Sequence, residues 1–299
     1  MMEIAASTDR GRVRDRNEDN YAVIQLGQTA HVSSGSLESD AGRSTQRDAL
    51  MAVVADGMGG EACGDLASRM LIERFVEFAT SNAKAIFRSL DVQSGLRELL
   101  SAELDASHAM LCRKAELEAA LRGMGTTATV AVIVGSRLSI AHVGDSRCYL
   151  LRDGRLRQLT RDHSMAQYFI EQGCISSAEA APSGMQHLLW NALGGNTSKI
   201  VVDFHDVKLR DGDDVLLCTD GLTGRLTDDE LVDQLRAHEK ASAVCDKLIT
   251  AANIAGGQDN ITCVLVRLAS EKDTSPPAAC FDLHTYDNPI ATTFTSLPE

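Results

Sequence analysis

The chain is poor in aromatic rings and prolines, and none of its 299 residues belong to a run of lysine or arginine. Only 29 basic residues stand against 42 acidic ones, a formal net charge of −13. That balance repels nucleic acid and anionic membrane surfaces unless a local basic patch intervenes. No apolar stretch is long enough to span a bilayer, the longest being of the type "TATVAVIVG" at 127–135. The N-terminus, "MMEIAASTDRGRVR", lacks the charged-then-apolar order of a secretion signal. The eight cysteines are scattered singly with no C-x-x-C. Cys218 and Cys263 sit inside apolar runs and read as reduced core residues of a cytoplasmic protein.

What the chain does contain is ordinary globular composition, with 44% hydrophobic and 24% charged residues. Apolar runs predict strands at 21–26, 51–55, 127–134, 137–143, 147–151, 155–159, 200–207, 213–218 and 261–268. Short turns, "VGSR" and "RDGR", join two of the pairs as hairpins. Helical spacing predicts helices at 62–80, 83–119, 163–172, 184–192, 227–237 and 240–255. In the second of these, Leu96, Leu100, Leu104 and Leu111 share a core-facing stripe. Thr227 is the predicted cap of "TDDEL". Hairpins with long helices between strands indicate a layered α+β domain over 1–269. The polar stretch 27–49 reads as an inserted loop, and 270–299, which holds four of the five prolines, as a disordered tail.

Two apolar strands end on the same phrase, Asp56-Gly57 in "VVADGMGG" and Asp220-Gly221 in "LLCTDGL". Three more acidic positions adjoin predicted strands: Asp19 with Glu18 in "RNEDN", Asp145 in "HVGDSR" and Asp259 in "GGQDNIT". Taken singly, each reads as a turn, a cap or a solvated loop. Side by side, their strands would gather these carboxylates on one rim, where they repel unless protons or cations intervene. Oxygen-only donors favour Mg²⁺ or Mn²⁺ over Zn²⁺. A glycine after the aspartate lets its own carbonyl come close to such an ion. Cys63 and Arg69 match a Cys-x5-Arg spacing, but they fall in a helical pattern that turns Arg69 away from the cysteine. His142, within a strand, reads as a core residue, and the remaining histidines apart from His163 carry no signal.

The ordered blocks "STDRGRVRDRNEDN", "VVADGMGG", "GMGTTATVAVI", "AHVGDSRCYLLRDG", "LTRDHS", "LLCTDGL" and "GGQDNITCVLV" resemble the bacterial branch of the type-2C metal-dependent Ser/Thr protein phosphatases, from about residue 5 to 268. The resemblance implies a four-layer αββα sandwich, with two antiparallel sheets flanked by helices and a binuclear metal centre in the cleft at one end. It implies that Asp56 bridges two Mn²⁺ or Mg²⁺ ions, that the Gly57 carbonyl faces one of them, and that Asp220 and Asp259 complete the other ion's shell. Asp19, backed by Glu18, would hold metal-bound water. Asp145 would recruit a third, weaker ion, and Arg14 would clamp substrate phosphate. A metal-bridging hydroxide would attack phosphoserine or phosphothreonine directly.

Where the animal branch has a proton-donating histidine after the Asp-Gly pair, this chain has Met58, which leaves the general acid open between His163 and a metal-bound water near Asp145. Residues 160–195, with Trp190, would form a flap beside the cleft. The implied partners are phosphorylated proteins, namely a Hanks-type Ser/Thr kinase and its substrates, acted on by a monomer. The alternatives are a phosphatase dedicated to one small anti-sigma antagonist and a non-catalytic pseudophosphatase. The first usually lacks the arginine and "NED" signals present here, and the second should have lost metal carboxylates, none of which is missing.

Overall fold

The computed structural model describes residues 2–31, 44–59, 63–88, 93–176, 179, 184–195, 197–237, 239–268 and 283–285. Among these, two sheets stack face to face with helices outside each. The first sheet runs β13 (Leu283–Thr285), β1 (Met2–Asp9), β12 (Ile261–Leu268), β11 (Asp214–Cys218), β7 (Arg147–Arg152) and β8 (Arg155–Gln158). The second runs β10 (Asp203–Lys208), β6 (Arg137–Val143), β5 (Ala128–Val134), β3 (Ser44–Met58), β4 (Gly125–Thr126) and β9 (Leu193–Gly194), with β2 (Asp19–His31) also paired to β3. All ladders are antiparallel except that of β13 on β1.

The continuous apolar runs are explained by burial on both faces. In β3, Met51, Val53 and Ala55 point to the helices, while Leu50, Ala52 and Val54 point to the opposite sheet. Strand β12 divides in the same way: Val264 and Val266 face the sheet interface, Cys263 and Leu265 face the outer helices. The period is two, but neither side is polar. Helices α1 (Cys63–Arg88) and α2 (Gln93–Leu117) cover the second sheet. The leucine stripe of α2 is buried at Leu96, Leu100, Leu104 and Leu111, and each such burial contributes about 1.5–3 kcal/mol. After the short α3 (Met165–Glu171) and the four-residue α4 (Asp220–Thr223), helices α5 (Asp228–Leu235) and α6 (Ala241–Ile254) cover the first sheet. Thr227 caps α5 in a reciprocal box with Glu230. The β7–β8 turn has Asp153 and Gly154 both at positive φ, 51° and 73°, as a tight hairpin between right-twisted strands requires.

Several elements differ from the sequence expectation. Strand β1 was not anticipated, because Ala5, Ala6 and Ser7 give no β-branched signal, yet Ile4 to Thr8 are buried. Helix α1 runs on to Arg88, so the second helix starts at Gln93, not 83. The expected helix at 184–192 is a single 3₁₀ turn, Met185–His187. Its backbone is drawn elsewhere: Leu188 O accepts from Met165 N, and Trp190 N donates to His163 O. Of the expected 27–49 loop, residues 27–31 and 44–49 continue the β2–β3 ladder, since backbone pairing needs no apolar side chains, and 32–43 lie outside the described residues. In the expected tail, Leu283–Thr285 pairs with β1, and the rest lies outside the described residues. Cys63 opens helix α1, buried, with no phosphate-cradling loop of the kind its spacing to Arg69 could have meant.

Candidate metal centre

The two sheets meet at one end of the sandwich, and there the acidic residues converge. Asp19 and Asp56 stand directly opposite each other across the β2–β3 ladder. The Asp19 side chain is buried and crosses to the other sheet: Thr219 and Thr262 hydroxyls both donate to its Oδ2 at 2.7 Å. Its Oδ1 is buried without any hydrogen-bond partner. Asp220 opens helix α4 straight after β11, and Asp259 precedes β12. Asp145 lies in the β6–β7 turn, buried. Arg14, Glu18, Asp56, Gly57, Asp145, Asp220 and Asp259 line one open cleft, and Asp19 sits just behind it.

Backbone contacts fix this geometry. The Asp56 amide donates to Thr127 Oγ1 at 2.9 Å, and its carbonyl accepts from Thr127 N and Thr126 Oγ1. Asn260 ties three segments together: its Oδ1 accepts from Glu18 N, and its Nδ2 donates to the Arg10 and Arg16 carbonyls. Ser68 on α1 donates to the Glu18 carbonyl at 2.6 Å. A Cβ on Gly57 would lie 2.2 Å from the Gly64 carbonyl oxygen and 2.6 Å from that of Glu18. The glycine after Asp56 is thus required by the close approach of α1 and the 17–18 turn. The sequence pointed to the glycine for another reason, access of its carbonyl to a cation.

The donor set fits hard divalent cations. Burial first, then mutual repulsion, pushes the Asp56 carboxyl well above its ordinary range, with Asp19 and Asp220 the leading neighbours. Asp19 is raised to about 7, burial outweighing the two threonine hydroxyls that favour its anion. Asp145 is raised too, by burial and by Asp220. The partnerless Asp19 Oδ1 and the oxygen-only donors suit Mg²⁺ or Mn²⁺. Among the described residues no three such side chains form a ready-made cage. Two candidate ligands have other partners: Arg14 Nη2 holds Asp259 at 2.8 Å, and His187 Nδ1 lies 3.6 Å from Asp220.

A pH dependence follows. Where a carboxyl's folded pKa lies above its unfolded value, the folded state holds the proton more tightly, and stability is lost as pH rises between the two. For Asp19 that window runs from the ordinary 3.8 to about 7, and Asp56 and Asp145 act in the same direction. In excess chelator the melting temperature is therefore expected to fall across this range. Added Mn²⁺, replacing the protons, should remove the fall. Thermal scans at stepped pH check this, and a metal-free protein that gains stability through the window would contradict the carboxylate geometry.

His163 does not reach the cleft, which corrects its expected role as general acid. It is fully buried, between the His142 and Trp190 rings at 4.9 Å each. Its Nδ1 accepts from the Gly144 amide at 3.1 Å and from Asn191 Nδ2 at 2.7 Å, so the proton is on Nε2, 3.1 Å from Asp203 Oδ2. Burial lowers its pKa, and both nitrogens are engaged within the fold. His142, bonded to Thr129, is core as expected. Several cleft residues carry no signal in the sequence, among them Asn260, Arg16, His187 and Arg225. Asn260 adjoins Asp259, and Arg16 belongs to the alternating arginines of "DRGRVRDR", which form no unbroken basic run. His187 stands alone in "GMQHLLW" with no other metal-ligating or charged residue near it in sequence to mark it.

Comparison with known proteins gives a consistent picture. The family model described as Protein phosphatase 2C matches residues 27–265. The serine/threonine phosphatase stp of Listeria welshimeri is 37% identical over 259 residues, covering 87% of this chain and 93% of that protein. The serine/threonine phosphatase structure from S. agalactiae superposes with a TM-score of 0.74 at 28% identity, over 90% of this chain and all of that one. The catalytic domain of the serine/threonine protein phosphatase PstP, solved with two manganese ions, gives 0.70 at 30% identity over 90% of this chain and 99% of that one.

Proposed function

Because the chain belongs to the protein phosphatase 2C family, we propose that its cleft hydrolyses phosphoserine and phosphothreonine in proteins in a metal-dependent reaction. The observation that carries this reading is the convergence of Asp19, Asp56, Asp145, Asp220 and Asp259 from both sheets on one cleft that also holds Arg14. Asp56, the Gly57 carbonyl, Asp220 and Asp259 are the residues to hold two Mn²⁺ or Mg²⁺ ions. Asp19 supports them with its free Oδ1, Glu18 stands behind, and Asp145 serves a third, weaker ion. Bound cations supply an acidified water and positive charge for phosphoryl transfer.

The chain's own residues orient the substrate. Arg14 is half exposed and, among the described residues, has only Asp259 as an ion-pair partner, so its guanidinium can turn to grip two phosphate oxygens. The threonine bonds from Thr219 and Thr262 keep the Asp19 carboxylate from rotating. The leaving alkoxide takes its proton neither from Met58, which has none to give, nor from the buried His163.

The substrates are the targets of a Hanks-type Ser/Thr kinase and that kinase itself. The retained carboxylates and Arg14 favour this over the anti-sigma-antagonist and pseudophosphatase alternatives. Seven described cysteines are free, which favours a cytoplasmic setting. No helix among the described residues is long and apolar enough to cross a membrane. Exposed large apolar side chains such as Val76, Leu117, Val201 and Ile254 are scattered over separate elements, which favours a monomer.

Substitution of Arg14 tests the reading. In Mn²⁺, Arg14→Ala should raise KM for a phosphothreonine peptide by about 10-fold or more, with Mn²⁺ affinity by calorimetry unchanged or slightly tighter as Asp259 is freed. A collapse of Mn²⁺ binding would make Arg14 structural. Failure of the wild type to release phosphate in Mn²⁺ or Mg²⁺ would overturn the function.

A further inference from the structure

Two guanidinium groups in the cleft have no part in the chemistry above. Arg16 is exposed on the loop between β1 and β2, two residues beyond Arg14, and Arg225 is half-buried just after α4. Both line the cleft. Among the described residues neither has a carboxylate at ion-pair distance, in a chain with 42 acidic residues to choose from. Their influence on the cleft is electrostatic: Arg16 favours the ionised form of Glu18, and Arg225 disfavours the charged form of His187.

Their backbones are firmly placed. The Arg16 carbonyl accepts from Asn260 Nδ2 at 2.8 Å, and the Arg225 amide donates to Leu222 O. The segments that carry them both pack on the 257–260 loop, Arg12 N donating to the Gly257 carbonyl and Gly221 lying against the Asn260 carbonyl. The side chains are thus unpaired cations on fixed anchors, beside the place where the phosphate must sit.

We infer that Arg16 and Arg225 form a subsite for carboxylates flanking the phosphorylated residue, so that the preferred substrates are phosphoserine or phosphothreonine segments rich in Asp and Glu. This rests on the phosphatase reading and names its substrate class. A body of net charge −13 repels an acidic segment at long range, and cations at the cleft rim offset that repulsion locally. Among the described residues neither arginine has a carboxylate partner to give up before it meets one on a substrate.

The test compares phosphothreonine peptides of one length flanked by Asp/Glu, Ala or Lys, with nitrophenyl phosphate turnover measured in parallel. The wild type should prefer the acidic peptide in kcat/KM, chiefly through KM, and lose that preference as salt is raised. Arg16→Ala and Arg225→Ala should each reduce the preference by about two- to fivefold, as for partly exposed ion pairs. Arg225→Glu should shift it toward the Lys-flanked peptide. A wild type that hydrolyses all three peptides alike, or a double alanine variant that keeps the preference, overturns the subsite. So does a peptide with a second phosphate being favoured while Asp/Glu flanks give no gain over Ala, since the cations would then read phosphate. Loss of nitrophenyl phosphate turnover by the wild type is a separate outcome, which strikes the phosphatase reading itself.

Discussion

Asp56→Asn is expected to reduce turnover by on the order of 10³-fold or more, with the fold intact by circular dichroism. The side chain faces Asp19 across the β2–β3 ladder and shares the cleft with Asp145, Asp220 and Asp259. An amide is nearly isosteric, so the backbone bonds to Thr126 and Thr127 persist. What is lost is one negative charge from the group that the others surround. Two readouts besides activity follow from that. Mn²⁺ affinity should fall steeply, because a neutral amide is a poor ligand for a hard cation. In chelator the variant should melt at or above the wild-type temperature, because the buried carboxyl it replaces is disfavoured by burial and by its acidic neighbours. Wild-type Mn²⁺ affinity together with wild-type turnover would remove Asp56 from the centre.

Gly221→Ala should be the most damaging small substitution in the cleft. A Cβ there would lie 1.9 Å from the Asn260 carbonyl oxygen and 3.4 Å from the Asp259 Cβ. Backbone must move, and the backbone in question carries Asp220 on one side and Asp259 on the other. Overpacking costs typically about 1–3 kcal/mol and more where no flexible side chain can yield. A lower urea midpoint and weakened Mn²⁺ binding are expected together. Gly135→Ala is the control: it has positive φ, 57°, but nothing within 4 Å, so only the backbone cost of about 1–2 kcal/mol applies, far from the cleft. Equal losses in the two variants would show that the Gly221 contact is unimportant.

The acidic residues were legible because each lies beside an apolar strand, and strand ends are where a sheet offers rigid positions to a rim. The layers were legible in outline, since runs such as 127–134 and 261–268 are too apolar for sheets open to water. The second face of each run was not, because periodicity cannot say what covers a strand. Strand β1 escaped because its buried residues are small. The 184–192 segment has helical spacing, but Asn191 and Trp190 bind the buried His163, and such pairing across 27 or 28 positions leaves no trace in local pattern. For the same reason a histidine beside an aspartate in "RDHS" looked catalytic, while its role is to join the Gly144 turn to Asn191 and Asp203.

The bonds that hold Asp19 have a consequence for how the protein comes into being. Thr219 and Thr262 lie 200 and 243 positions away along the chain. Strand β1, the first of the described strands in chain order, pairs only with β12 and β13 among them. A nascent chain can pair β2 with β3 and pack α1 and α2 long before either threonine exists, but its first strand waits for one of the last. The β2–β3 ladder and the two long helices over it are complete early in the chain, and the acidic rim only late. Termination between α4 and β12 leaves a fragment that contains Asp19, Asp56, Asp145 and Asp220 but lacks Thr262, one of the two hydroxyls that hold the first of them.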